Sequence, residues 1–194
     1  MSEKITSVSD VPCLIRREIE ALMIAPFLEA FAEEFGREKV MEIAGKVIDK
    51  LAVESGKAYA EEMHLKADET LIPAIREQLL SHNEVGDCDN RLVDETEDHV
   101  TVHTCDCDYV AMYERNGLKD LGCLLSCRRD VGFYEGMGLG LRLVREGTRM
   151  EGCDVCDFRV EKEYGPAQSK LDASFKSLAA RQDTARRRKA GAKH

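Results

Sequence analysis

Ile15, Ile19, Leu22, Met23, Phe27, Phe31 and Phe35 follow one another at three- and four-residue spacing, behind the helix-start pair Asp10 and Pro12. They predict a helix up to Gly36 that Pro26 kinks or breaks. Val40, Ile43, Ala44, Val47, Ile48, Leu51, Ala52, Ser55 and Tyr59 carry the same period into a second helix ending near His64. Asp68 can cap a third, with Ile72, Ile75, Leu79 and Leu80 as its stripe and Pro73 in its first turn. The pattern then changes. NEVGDCDNRLVDETED reads as a polar loop, and from His99 to Cys105 the alternation has period two. Val100, Val102 and Thr104 share one face of that strand, and His99, Thr101, His103 and Cys105 share the other.

Residues 107–117 and 118–127 read as short helices, and VGFYEGMGLG as a loop or strand entrance. GLRLVREGTRM and VCDFRVEKE read as two strands of a hairpin across the turn EGCD, with Cys156, Phe158 and Val160 on one face. Helices first and antiparallel strands later predict an α+β protein. Its N-terminal helical layer (10–83) packs on a C-terminal antiparallel sheet within a cysteine-rich α/β part (84–168). Residues 1–168 then form one domain, and 169–194 a basic tail.

Composition narrows the class. No window approaches the roughly 18 apolar residues of a membrane span. The polar N-terminus MSEKITSVSDVPC lacks a secretory signal's apolar stretch. A cytoplasmic protein with no membrane partner is expected, its eight cysteines reduced rather than paired. The net charge of −9 is uneven: eight Lys or Arg against two acids give +6 on 169–194 and leave −15 on 1–168. An acidic body excludes nucleic acid as its expected partner, and a small molecule is expected instead.

Three cysteine pairs lie close in sequence: Cys105 with Cys107, Cys123 with Cys127, and Cys153 with Cys156. Cys105, Cys107, Cys153 and Cys156 could close a four-thiolate zinc site. The other reading is a set of buried unligated thiols with no resident cofactor. Cys13 reads as packing and Cys88 as a loop thiol. Cys127 and Asp130 would share one side of a helix, a nucleophile beside a carboxylate, and Arg128 or Arg129 would lower the thiol's pKa if either points inward. The bland reading of that pair is a core cysteine next to a capping aspartate. His99 or His103 could supply a general base, or be a surface histidine. GMGLG matches neither the dinucleotide nor the P-loop pattern.

Cys107, Tyr109, Gly117, Leu121, Gly122, Cys127, Asp130, Arg145, Thr148, Gly152, Cys156, Asp157 and Phe158 stand in an order and spacing that resembles the signature block of the L-2-amino-thiazoline-4-carboxylic acid hydrolase family. Cys153 departs from it, standing where an acidic residue commonly follows the glycine. Cys105 and Cys123 are additional to it. The resemblance implies a hydrolase that opens a cyclic amidine at C2 across a carbon–nitrogen bond, giving a carbamoyl-cysteine. Such a reaction needs a nucleophile, a proton donor for the departing nitrogen or sulfur, and a cation for the substrate carboxylate. Cys127 as nucleophile, or as a ligand to whatever activates water, Asp130 orienting or shuttling protons and Arg145 as carboxylate holder are expected, with Cys107, Cys156 and Asp157 completing the site. The end of the block also resembles the 4-vinyl reductase-like ligand-binding domains, which implies the rival function, a non-catalytic small-molecule- or metal-binding sensor module.

Overall fold

The computed structural model describes residues 6–163, and the expected basic tail lies outside them. After a single 3-10 turn, α1 (Cys13–Phe35), α2 (Arg37–Glu62) and α3 (Leu71–Val85) follow in sequence. Strands β1 (Cys88–Glu95) and β2 (His99–Cys107) lead directly into α4 (Asp108–Arg115). Next come α5 (Lys119–Gly122), a π-helical turn at Cys123–Cys127 and α6 (Arg128–Gly136). β3 (Leu141–Val144) and β4 (Cys156–Lys162) close the described chain, with a 3-10 turn between them at Arg149–Glu151. The four strands form one antiparallel sheet in the order β1-β2-β4-β3. The fold is therefore α+β, as expected. Among the described residues no helix is long and apolar enough to cross a membrane.

The core lies between α3 and the sheet. Leu71, Ile72, Ile75 and Leu79 meet Val100, Val102 and Val160, all of them buried, and Met112, Tyr113, Val131 and Tyr134 extend the core from α4 and α6. The period-two reading of β2 holds: Val100, Val102 and Thr104 point inward.

Four expectations are corrected. The polar loop at 83–98 contains β1, whose inward anchor is polar. Asn90 is buried, donates to the Leu79 carbonyl and accepts from the Thr104 hydroxyl, while Asn83 bonds both its backbone N–H and its C=O. An edge strand held by a satisfied amide network leaves no hydrophobic alternation to detect. VGFYEGMGLG is mostly helix, since α6 runs to Gly136. Gly132 and Gly136 allow contact: a Cβ on Gly132 would lie 2.9 Å from the Ala52 Cβ, and one on Gly136 would lie 2.2 Å from the Val53 carbonyl oxygen, while Gly138 and Gly140, with φ 69° and 66°, turn the chain after the helix. The strand predicted from Gly140 to Met150 is only Leu141–Val144, because Asp157 accepts the backbone N–H groups of Glu146 and Gly147 and turns the chain there. Lastly, α1 continues through Pro26, and the stripe from Ile15 to Phe35 is exposed while Ala21, Ala25 and Leu28 face the body.

Candidate active site

Cys107 ends β2 and stands at the N-cap of α4. Its sulfur interacts with the backbone N–H groups of Tyr109 and Val110, although neither contact has the geometry of a full capping hydrogen bond. Cys88 is its cross-strand partner in the register. The Cys88 thiol faces the Cys107 sulfur, and this contact, with the two N–H groups, holds the Cys107 thiol below the usual range against the opposing effect of burial. The same contact, and then burial, pushes Cys88 up.

Beside the two thiols lies a histidine–carboxylate pair. His82, in the last turn of α3, places Nδ1 2.9 Å from Asp87 Oδ1, and the Tyr109 hydroxyl donates to Asp87 Oδ2 at 3.0 Å. Gly86, with φ 79°, makes this possible: its left-handed backbone ends α3 and turns the chain straight into Asp87 and Cys88. Asp87 is buried, whereas the His82 side chain is 35% exposed, so the pair reaches solvent through the imidazole. The hydrogen bond to Asp87 raises the His82 pKa, and the Cys107 charge adds to the effect. Cys13, expected as packing, lies in the first turn of α1 close enough to the Tyr109 hydroxyl to raise its pKa. Cys88, expected as a loop thiol, faces Cys107 from a strand.

The expected pair Cys127 and Asp130 lies on the π-turn and α6. Cys127 interacts with the Cys123 thiol, and that contact and burial push its own thiol well up. Arg145 is nearly enclosed, its side chain 5% exposed. It donates to Asp130 Oδ2 at 2.7 Å and to the Cys127 carbonyl at 2.9 Å, and its guanidinium sits 5.2 Å over the Phe158 ring. Burial alone would lower the Arg145 pKa, but the Asp130 charge keeps it raised. Asp130 feels both His82 and Arg17, so this ion pair adjoins the Cys107 cluster.

Cys156 accepts the Arg149 N–H at 3.2 Å, and burial pushes its thiol up to about 12. Cys105 falls at an irregularity in the β1–β2 register and Cys153 is exposed. The expected quartet of Cys105, Cys107, Cys153 and Cys156 is not gathered. Among the described residues, the group whose ligand atoms all lie within 4.8 Å of one another is His82, Asp87 and Cys88. His99 bonds Asp94 and Thr96 in the β1–β2 hairpin, and His103 lies on the same strand face. His82, Asp87 and Cys88 escaped the sequence reading because they sit on either side of a helix end. The spacing His-x4-Asp-Cys behind a glycine was the available signal.

No curated protein matches the chain. Among solved structures, it is similar to the trafficking protein particle complex subunit 3 from Naegleria fowleri covalently bound to palmitic acid, at 11% identity and a TM-score of 0.44, over 79% of this chain and 99% of that one. The family described as L-2-amino-thiazoline-4-carboxylic acid hydrolase matches residues 16–160, from the second turn of α1 to the middle of β4, so that Cys107, His82, Asp87 and the Asp130–Arg145 pair all fall within the match. The chain belongs to the L-2-amino-thiazoline-4-carboxylic acid hydrolase family.

Proposed function

We propose that the chain hydrolyses L-2-amino-thiazoline-4-carboxylate or a related small cyclic amidine, with Cys107 as nucleophile. One observation carries this choice: both cysteines are partly exposed and both face a second thiol, but only Cys107 also has two backbone N–H groups at a helix start directed at its sulfur. The Cys107 thiolate adds to ring carbon C2. The C2–S bond then breaks, and not the carbon–nitrogen bond first expected, because a thiolate leaves more readily than an amide nitrogen. Protonated His82 gives its proton to the departing sulfur. The isothiourea left on Cys107 takes up water, the neutral His82 recovers a proton, and the Cys107 thiolate departs from the new carbamoyl group. One water is added and no oxidation state changes.

Arg145 is already committed to Asp130 and the Cys127 carbonyl. Arg145 is also nearly enclosed, so we assign the substrate carboxylate to Arg17, which lies close enough to Cys13 and Tyr109 to feel both and whose ion pair with the half-exposed Glu20 the substrate carboxylate would share or displace. Asp130 and Arg145 brace the π-turn behind the site.

The test is the pH dependence of kcat/KM with L-2-amino-thiazoline-4-carboxylate. The active form needs Cys107 ionised and His82 protonated. Activity should rise with pH through the depressed Cys107 pKa and fall as pH passes the raised His82 pKa. His82→Asn should lower kcat by about 10²-fold and remove the alkaline limb. An unaltered profile in that variant would exclude His82 as the acid.

A second reading has its own observation: His82, Asp87 and Cys88 present clustered ligand atoms, and Cys107 would add a second thiolate. Elemental analysis of anaerobically purified protein separates the two. We expect less than one equivalent of zinc; a stoichiometric metal that Cys88→Ser loses would establish the metal site instead.

A further inference from the structure

We propose that the outer face of α1 and α2 pairs with a second copy of this chain. Helix α1 buries Ala21, Ala25 and Leu28 against the body, and its Glu18 and Glu20 bond to Arg115, Asn116 and Arg129. Ile19, Met23, Phe27, Phe31 and Phe35 run around the remaining surface, with Met23 70%, Phe27 56% and Phe35 61% exposed. A surface helix ordinarily turns a polar face to water, and a helix apolar around most of its girth is a buried one. The face continues on the adjoining helix as Ile43, Val47 and Leu51, four residues apart and all exposed, while Ile48 and Ala52 point inward.

The area fits a dimer. Exposed apolar side chains on the two helices present on the order of 1,000 Å², beyond the largest patch of a typical monomer and close to what each partner contributes to a standard interface. Three phenylalanines form a ladder along it, with ring centroids 6.5 Å and 6.2 Å apart, and aromatic side chains are enriched where interfaces concentrate their binding energy. A patch that is apolar throughout is self-complementary, as a two-fold isologous contact requires. The charge disfavours the other large apolar acceptor, a membrane, because the −15 carried by residues 1–168 is repelled by an anionic leaflet.

The experiment is sedimentation velocity on the full chain over a dilution series. The wild type should sediment with twice the 21.8 kDa chain mass. A Met23→Glu, Phe27→Glu double variant should sediment as one chain, its dissociation constant raised at least about 100-fold, with an unchanged far-UV circular dichroism spectrum. Val93→Glu, on an exposed residue of the edge strand β1, should stay dimeric. Should the double variant fail to fold, Phe27→Ala keeps the helix apolar and should still raise the constant about tenfold. A wild type that remains a single chain at tens of micromolar overturns the proposal, as does an unchanged constant in Phe27→Ala. Wild-type protein that is monomeric in solution but binds phosphatidylcholine vesicles overturns it in favour of a lipid surface.

Discussion

Cys107→Ser is expected to lower ring-opening turnover by about 10⁴-fold, the scale on which removing a covalent nucleophile acts. A serine hydroxyl at that position would face the same two N–H groups and the same Cys88 thiol, but its much higher pKa leaves almost no oxyanion at neutral pH. Cys127→Ser serves as the comparison. Its thiol lies against Cys123 and is pushed up by that contact and by burial, so its replacement should cost packing more than chemistry and keep turnover within about tenfold. The measurement is product formation by mass spectrometry with freshly reduced protein, together with trapping of the isothiourea adduct on an acid-quenched peptide containing Cys107. An inactive Cys127→Ser beside an active Cys107→Ser would return the nucleophile to Cys127. Inactivity of the wild type toward every small cyclic amidine tried would remove the hydrolytic reading itself.

The largest effect on stability is expected from Gly56→Ala. The added methyl carbon would stand 1.9 Å from the Phe133 carbonyl oxygen and 2.8 Å from its carbon, both backbone atoms of α6. No rotamer change relieves a clash with backbone, so α2 and α6 must separate. Gly132 and Gly136 hold α6 equally close to α2 from the other side, against Ala52 and Val53, so the separation would open the whole contact. Overpacking of this kind costs about 3 kcal/mol or somewhat more. Alanine's better helix propensity returns about 1 kcal/mol of that. The net loss of about 2 kcal/mol corresponds to roughly 4–8 °C in Tm for a chain of this size. Gly86→Ala is the useful contrast. It meets no atom within 4 Å, but it forces alanine to φ 79°, for about 1 kcal/mol of backbone strain. Thermal unfolding of the two variants should rank Gly56→Ala as the more damaging. The reverse order would mean that α2 and α6 part easily.

Helix period, strand alternation and the ordered signature were legible in the sequence, because each is a local property of the chain. The helices α2 and α3, the inward face of β2, the antiparallel pairing of β3 with β4 and the family itself followed from them. The direction in which an apolar stripe faces is not local. α1 has apolar residues on several sides, and only its docking through Ala21 and Ala25 decided which of them stayed outside. Likewise, the glycines of α6 spell a loop in one dimension and a close helix contact in three. The candidate site shows the same division. Cys107, Cys127, Asp130 and Arg145 could be picked out by spacing, but their environments could not, since a thiol's pKa is set by what surrounds it. Pairing of β1 with β2 set Cys88 against Cys107, and the turn at Gly86 brought His82 and Asp87 to Tyr109. The sequence by itself singled out the cysteines and the Asp130 and Arg145 positions, but not His82, Asp87 or Arg17. The tertiary structure decided which thiols meet and which of them stands at a helix start, because groups brought together from separate elements are a property of the packed chain alone.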